Sequence, residues 1–295
     1  MHAFKIKDIM LRRLTIFFLI AAAGLSAMAQ TETRFGNEAS DTTFIGNMLM
    51  EAAQQKFDTP EARVAFFARK FIGTPYGAHT LEGEPEVLTV RVDSLDCTTF
   101  IETAMALAMT TGEGRSSWRD FVYNLRRMRY RNGEVNGYPS RLHYICDWAI
   151  DNIHRGNFKD ATMLFPGANY LQRTIDFMTT NRDKYPALAD DDNYRRIRDL
   201  ENGYRRHKFP YIKSSALGAK VTKNVFHEGD VVGLVTKLNN LDVTHMGIIV
   251  VENGEPYLLH ASSTDGKVEI SKHDLAEFMR RNRQWLGIRV FRLAE

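Results

Sequence analysis

One cysteine and two histidines are the residues best placed to do chemistry in this chain of 295 residues. Cys97 opens an apolar helical pattern, LDCTTFIETAMALAMTTG at residues 95–112, in which Gly112 stands where a helix would end. The pattern predicts Asp96 as the N-cap and Cys97 in the first turn, where free amides and the helix dipole make a thiol easier to ionise. Cys97 is therefore a candidate nucleophile. The alternative is a small core residue, because free cysteine is commonly buried.

The histidines belong to a predicted β-hairpin. Asn-Gly at 253–254, between two apolar runs, is typical of a two-residue type I′ turn. The register that this turn sets places His245 and His260 on the same face as diagonal neighbours, unless a β-bulge intervenes. A cysteine nucleophile needs a base and a group that orients the base. We therefore predict His245 as the base and His260 as the orienting residue.

Two other uses of these residues remain open. Cys97, His245 and His260 are also zinc-ligand types, but no short-spaced ligand pair such as C-x-x-C accompanies them, so we expect no metal and no cofactor. A disulfide between Cys97 and Cys146, the only two cysteines, is the structural alternative in an exported protein. Cys146 lies inside an aromatic helical pattern, which favours a buried thiol.

The first 29 residues have the pattern of a signal peptide. Basic residues precede an apolar run over residues 14–25, and Ala27-Met28-Ala29 forms a cleavage site. We expect export to the periplasm or the cell envelope, without a transmembrane helix in the mature chain; the alternative is a retained membrane anchor. The net charge of +3 lies entirely in this leader, so the mature chain is neutral. Neutrality argues against nucleic acid as a partner.

The remaining chain predicts helices first and strands last. Residues 30–40 are polar and are predicted as a flexible lead-in, and residues 41–295 as a single domain. Helical patterns cover 41–57, 60–72, 97–112, 116–130, 138–157, 170–181, 190–207 and 272–281. A short strand is predicted at 87–92, and from Phe209 onward β-branched and aromatic residues predict strands. This order is typical of an α+β fold, with a helical part that carries Cys97 packed on an antiparallel sheet that carries the histidines.

Several motifs together resemble a known family. DCTTF at 96–100, GDVVG at 229–233, THMGIIV at 244–250 and LLHAS at 258–262 are similar, in this order, to motifs of the NlpC-type papain-like cell-wall cysteine peptidases. GTPY at 73–76 resembles the loop that bears a tyrosine beside the nucleophile. GAHTLE after that tyrosine, with DCTTFIE and SRLHYICDW, resembles a narrower branch of N-acetylmuramoyl-L-alanine amidases that act on cell-wall fragments.

The resemblance implies a papain-like fold and a hydrolase of peptidoglycan fragments. It makes Cys97 the nucleophile, His245 the base and His260 the orienting residue, and it places Tyr76 beside the sulfur. It also implies a set of substrate-binding residues: Thr80, Glu82, Arg141, His143, Tyr144, Asp147 and Trp148. The implied activity is hydrolysis of the N-acetylmuramoyl-L-alanine bond, with 1,6-anhydro-muropeptides as the expected substrates. The alternatives are an endopeptidase that cuts between D-glutamate and the diamino acid, and a non-catalytic muropeptide-binding module.

Overall fold

The computed structural model describes residues 33–294. The predicted signal peptide and the first residues of the predicted lead-in lie outside this range. Contacts divide the chain after Thr33, and the part from Arg34 onward is one compact unit. Among the described residues, no helix combines the length and the apolarity that are needed to cross a membrane.

Regular structure begins earlier than the predicted lead-in allows. Strand β1, Thr33–Phe35, pairs with β2, Leu88–Val90, and helix α1 runs from Glu38 to Ala52. The N-cap of α1 is Asn37, whose side chain accepts the Ser40 amide, and the Asn37 amide donates to the Asp41 carboxylate at 2.9 Å. Asp41, which the sequence suggested as the start of this helix, therefore acts from inside its first turn. The prediction of a flexible segment is corrected from residue 33 onward, because these caps and strand bonds order it.

The helices nearest to it in the chain pack on the cysteine helix. Thr59 caps the second helix and Pro60 is its first residue, as the sequence predicted. The cysteine helix is buried along most of its length, which explains why its pattern is apolar on nearly every side. The helices are α2 (Pro60–Lys70), α3 (Cys97–Gly112), α4 (Trp118–Arg129), α5 (Ile145–His154), α6 (Phe177–Thr180), α7 (Asp191–Gly203), α8 (Lys220–Lys223) and α9 (Leu275–Arg281).

The second half of the chain supplies most of an antiparallel sheet. Its strands are β3 (Phe158–Asp160), β4 (Ala168–Arg173), β5 (His207–Lys213), β6 (Val231–Thr236), β7 (Val243–Glu252), β8 (Glu255–Ser262), β9 (Lys267–Asp274) and β10 (Trp285–Leu293). The order across the sheet is β4-β5-β10-β6-β7-β8-β9, and β3 also pairs with β10. Helices α1 to α5 pack with one set of strand side chains into the main core, and α9 packs with another set into a second, smaller core. The result is a mixed α/β architecture that places the start of α3 against β7 and β8.

Two of the predicted helical segments include residues that are not helical in the structure. The segment 170–181 is strand β4 followed by the short α6, because residues 168–173 pair with β5 in a regular register. Half-buried and exposed residues alternate along much of β4, so its six residues fit a strand period as well as a helical one. In the segment 138–157, Pro139 lies in a single 3-10 turn, and helix α5 begins only at Ile145.

Candidate active site

The turn that presents Cys97 is ordered by Asp96. The Asp96 carboxylate accepts the amides of Thr98 and Thr99 at 3.0 and 2.7 Å, and the Asp96 amide donates to the Thr99 hydroxyl at 2.9 Å. These reciprocal bonds form a capping box, as the N-cap prediction required. Asp96 is thus engaged with its own helix, while Cys97, the first residue of α3, has an amide with no partner inside the helix.

Tyr76 is held beside this turn by its backbone. The Tyr76 amide donates to the Gly266 carbonyl at 2.8 Å, and Tyr76 forms an isolated bridge with Leu95. The loop therefore joins the β8–β9 turn to the residues just before Cys97. Burial, with smaller effects of Cys97 and Asp96, raises the pKa of the Tyr76 phenol to about 12. Tyr76 consequently keeps its proton at neutral pH and can donate a hydrogen bond next to the sulfur.

The two histidines meet, as the hairpin predicted. Both turn residues have positive φ, 54° at Asn253 and 81° at Gly254, which is the type I′ requirement. The predicted register holds from the Glu252–Glu255 pair to the Ile248–Leu259 pair, and no ladder pair is formed beyond it. The rings bridge the strands there, with His245 Nε2 2.8 Å from His260 Nδ1.

The register of β7 against β6 is irregular beside His245. His245 pairs with Leu234, whereas the next pair joins Val243 to Val235, so Thr244 is an extra residue on β7. The bulge that the sequence analysis treated as a risk is thus present, on the β6 side. It leaves the two histidines in contact, because the extra residue precedes His245 and lies outside the segment that joins the two histidines. The Thr244 hydroxyl accepts the Trp285 indole N–H at 2.9 Å.

Two aromatic residues surround the histidine pair. The Trp285 ring stacks on His245 with centroids 5.9 Å apart, and Phe278 stacks on the same indole at 5.6 Å. Phe278 also meets His260 edge to face at 5.5 Å. The indole therefore supports the His245 ring, and the four rings form one aromatic cluster.

The cysteine sulfur approaches the sheet at the residue that follows His245. The Met246 backbone N–H faces the sulfur and favours its ionised form. The only side-chain hydrogen-bonding group within 4.0 Å of the sulfur, among the described residues, is the Thr98 hydroxyl. The described residues thus show no hydrogen bond between the Cys97 thiol and the His245 imidazole.

At neutral pH the Cys97 thiol and the imidazoles of His245 and His260 are uncharged. Burial, assisted by the neighbouring Asp96 carboxylate, raises the pKa of Cys97 to about 11. Burial also lowers the pKa of His245 to about 3, with a contribution from His260, and that of His260 to about 4. This corrects the expectation that the helix start ionises the thiol, because the loss of hydration outweighs the dipole here. The neutral imidazole of His245 is able to accept a proton.

A cavity of about 650 Å³ opens beside the imidazoles. Cys97 is not among its lining residues, so the cavity borders the two histidines and not the sulfur. Six of the residues that line it are His245, His260, Asp265, Glu269, Phe278 and Trp285.

Part of the predicted substrate set forms a second cluster. The buried Arg141 guanidinium donates to Glu82 at 3.0 Å and lies over the Tyr138 ring. His143 Nε2 is 2.9 Å from the Tyr138 carbonyl, and burial followed by Arg141 lowers the pKa of His143 to about 3. Thr80 is half-buried in the loop that follows Tyr76. Arg141 is already paired, so a substrate carboxylate would have to displace Glu82, the exposed partner.

Three residues of the predicted substrate set lie in the interior. Trp148 is fully buried between Phe158 and Phe291, and no sugar can reach its ring. Tyr144 is buried, and its hydroxyl donates to Glu201 at 2.6 Å. The buried Asp147 accepts from Arg131 at 2.9 Å and from the Tyr204 hydroxyl at 2.6 Å. These residues stabilise α5 and its neighbours, which corrects their predicted contact with substrate.

Other reactive groups lie outside the site. Cys97 and Cys146 are both free thiols, and Cys146 is buried in a smaller apolar cluster with Tyr144. Within residues 33–294, one group of potential metal ligands gathers, and its ligand atoms lie within 4.8 Å of one another: Glu61, His227 and Asp230. Asp230 is already paired with Arg292 at 2.7 Å, which leaves this group poorly suited to a cation.

Sequence reasoning missed the residues that support the histidines. Trp285 was recognised only as part of a strand and Phe278 only as part of a helix. Asp265 and Glu269, which line the cavity beside His260, carried no motif. No local pattern could have found them, since they approach the histidines only through the pairing of β10 with β6, the pairing of β8 with β9 and the packing of α9.

Comparison with known proteins adds a family to this geometry. The family model described as AmiA-like, N-acetylmuramoyl-L-alanine amidase-like, matches residues 66–288. No curated protein sequence matches the chain.

Solved structures resemble the chain over most of its length. An N-acetylmuramoyl-L-alanine amidase from Bacteroides uniformis is 34% identical with a TM-score of 0.73, over 79% of this chain and 99% of that one. A Bacteroides fragilis protein named as a candidate xylanase is 34% identical with a TM-score of 0.71, over 77% and 99%. A Legionella pneumophila protein is 22% identical with a TM-score of 0.70, over 88% and 96%, and shows the fold alone.

Proposed function

Because the chain belongs to the AmiA-like family of N-acetylmuramoyl-L-alanine amidase-like proteins, we propose that it is an exported cysteine amidase. Its substrates are peptidoglycan fragments, and it cleaves the bond between N-acetylmuramic acid and L-alanine. The observation that carries the cysteine mechanism is the contact of His245 Nε2 with His260 Nδ1, beside the residue whose amide faces Cys97. We also propose that the fold belongs to the NlpC-type papain-like group, because the motifs of the cysteine, the base and the orienting residue follow one another along the chain in that group's order.

The proposed reaction begins with proton transfer. Cys97 attacks the lactyl carbonyl carbon while its thiol proton passes to His245, which is neutral at physiological pH. The Cys97 amide and the Tyr76 hydroxyl donate to the developing oxyanion. When the carbon–nitrogen bond breaks, His245 returns the proton to the departing alanine amine and a thioester remains.

Water completes the cycle. His245 takes a proton from a water molecule that attacks the thioester carbonyl, and the thiol of Cys97 leaves with that proton. The products are the free lactyl acid of the amino sugar and a peptide that begins with L-alanine. Arg141 and Glu82 lie among the residues we assign to the peptide, and the preference for 1,6-anhydro sugars remains part of the proposal.

Glycoside hydrolysis, the chemistry of a xylanase, fits this site less well. Such enzymes use two carboxyl groups about 5 Å or more apart on either side of the sugar bond. The two carboxyl groups of the cavity, Asp265 and Glu269, are near enough that each shifts the pKa of the other. Among the described residues, the lining of the cavity supplies no further carboxyl group to stand on the opposite side of a sugar bond.

Mass analysis of products tests the proposal. Purified protein is incubated with defined muropeptides that carry either the 1,6-anhydro or the reducing-end sugar. Release of the intact peptide from L-alanine onward is expected, faster from the anhydro form, and Cys97→Ala should abolish it. Release of L-alanyl-D-glutamate would indicate the endopeptidase instead, and binding without any turnover would indicate a binding module.

A further inference from the structure

The hydrogen bond between the two histidines determines which nitrogen of each ring carries a proton. Only one of His245 Nε2 and His260 Nδ1 can carry hydrogen across their 2.8 Å contact when both rings are neutral. If His245 accepts the proton of Cys97, it does so through Nδ1, because Nε2 is occupied by His260. Nε2 of His245 must then carry the hydrogen, and His260 Nδ1 must be the acceptor. His260 is consequently required in the tautomer that carries its proton on Nε2.

The second nitrogen of His260 lies on the side of β9. Since β8 runs between β7 and β9, and Nδ1 points to His245 on β7, Nε2 points away from β7. Directly opposite His260 on β9 is Glu269. Side chains that face each other across antiparallel strands have Cβ atoms about 5 Å apart, which brings the glutamate carboxyl within reach of the imidazole or of one intervening water.

Asp265 completes a carboxyl pair with Glu269. The neighbouring Glu269 lowers the pKa of Asp265, burial followed by Asp265 raises the pKa of Glu269, and the Asp265 carboxylate favours the protonated form of His260. The Asp265 amide donates to the Ser262 hydroxyl at 3.0 Å, and Lys272 Nζ lies 3.3 Å from the Asp265 carboxylate. His260, Asp265 and Glu269 all line the cavity of about 650 Å³, so no apolar layer separates them.

We propose that the Asp265–Glu269 carboxyl pair is a positioning element that accepts the Nε2 proton of His260 and so holds His260 Nδ1 free for His245. The inference rests on the proposed cysteine mechanism and extends the histidine pair by a further pair of residues. Their effect passes through the tautomer of His260 to the orientation of His245.

Two double variants distinguish the loss of an acceptor oxygen from the loss of negative charge. Asp265→Ala/Glu269→Leu removes both acceptors, whereas Asp265→Asn/Glu269→Gln keeps an acceptor oxygen at each position. With a synthetic N-acetylmuramoyl-L-alanyl peptide, we expect the first double variant to lose about tenfold in kcat with little change in KM, the scale of one hydrogen bond to a charged group. The amide double variant should stay within about threefold of wild type. Glu255→Leu, on the same hairpin but paired with Lys223, is the matched control and should retain full activity.

Nitrogen NMR of protein labelled in its histidines reports the tautomer of His260 directly. The His260 signals are identified by their absence in His260→Gln. Wild type should show hydrogen on His260 Nε2 and a bare Nδ1, and Asp265→Ala/Glu269→Leu a mixture of tautomers. A bare Nε2 in wild type, or full kcat in that variant, would overturn the proposal. The spectrum requires no turnover, so it tests the tautomer of His260 independently of the amidase mechanism. The amidase mechanism is tested separately, and it fails if Cys97→Ala remains active.

Discussion

His245 and His260, fifteen residues apart in sequence, share a hydrogen bond of 2.8 Å at the open end of the β7–β8 hairpin. The two strands form no ladder pair beyond Ile248 and Leu259, so the imidazoles take over the link between them. One side of the pair is supported by Trp285, and the Met246 amide next to it faces Cys97. This arrangement fixes which nitrogen of the base is free, and the following predictions depend on it.

His260 should act through an acceptor atom. His260→Ala should lower kcat by about 100-fold or more, because His245 loses the group that orients it. His260→Asn, whose amide oxygen can still accept from His245 Nε2, should recover at least a tenth of wild-type kcat. Steady-state kinetics on the amidase substrate measure both. Equal losses in the two variants would show that His260 matters for packing and not for its acceptor.

The thiol of Cys97 should behave as an unactivated thiol in the absence of substrate. With its pKa raised to about 11 by burial and Asp96, the thiolate fraction at neutral pH is small. Alkylation by iodoacetamide should therefore accelerate about tenfold per pH unit between roughly pH 7 and 9. Cys97→Ser, which retains only the buried Cys146, provides the background. A rate that is already constant below about pH 8 would reveal a preformed thiolate–imidazolium pair.

Acid should destabilise the fold partly through His260. Its pKa falls from 6.5 to about 4 on burial, so the stability that it contributes is complete above pH 6.5 and is lost as the pH falls toward 4. Between about pH 6.5 and 5, this one group should cost roughly 1.5 kcal/mol of unfolding free energy. Urea denaturation at both pH values should show a smaller loss in His260→Gln than in wild type. The same loss in both proteins would contradict the assigned direction.

A buried ion pair ties the cysteine helix to its neighbours. Arg129 donates to Glu102 on α3 at 2.6 Å and to the Thr89 carbonyl on β2 at 2.6 Å, and both charged side chains are buried. Glu102→Ala should lower the unfolding free energy by about 3 to 5 kcal/mol, because it leaves a buried charge without its partner.

The surface pair of Glu277 and Arg280 provides the comparison for Glu102. Arg280 Nε lies 2.6 Å from a Glu277 carboxylate oxygen, the same distance as in the Arg129–Glu102 pair, yet Arg280 is largely exposed. Glu277→Ala should therefore lower the unfolding free energy far less than Glu102→Ala does. Denaturant unfolding of the two variants gives both values, and similar costs would show that burial does not control the strength of these pairs.

Local chemistry determined the parts of this protein that lie within one element or one turn. Asp96 could be identified as the cap of the cysteine helix because its partners lie two and three residues away. The histidine hairpin could be predicted because Asn253-Gly254 leaves few turn geometries, and a turn sets the register of both strands. Helices such as α2 followed from a threonine cap and a proline at the first position.

The tertiary structure decided everything that depends on burial and on distant neighbours. The thiol remains protonated because packing removes water from it, a cost that exceeds the local benefit of the helix start. Tyr144, Asp147 and Trp148 were assigned to substrate by resemblance, yet packing places them inside. Trp285 and Glu269 reach the histidines only after β10, α9 and β9 have docked. Sequence periodicity reports which face of an element is apolar, but not which partner will cover it, and the electrostatics of this site depend on that partner.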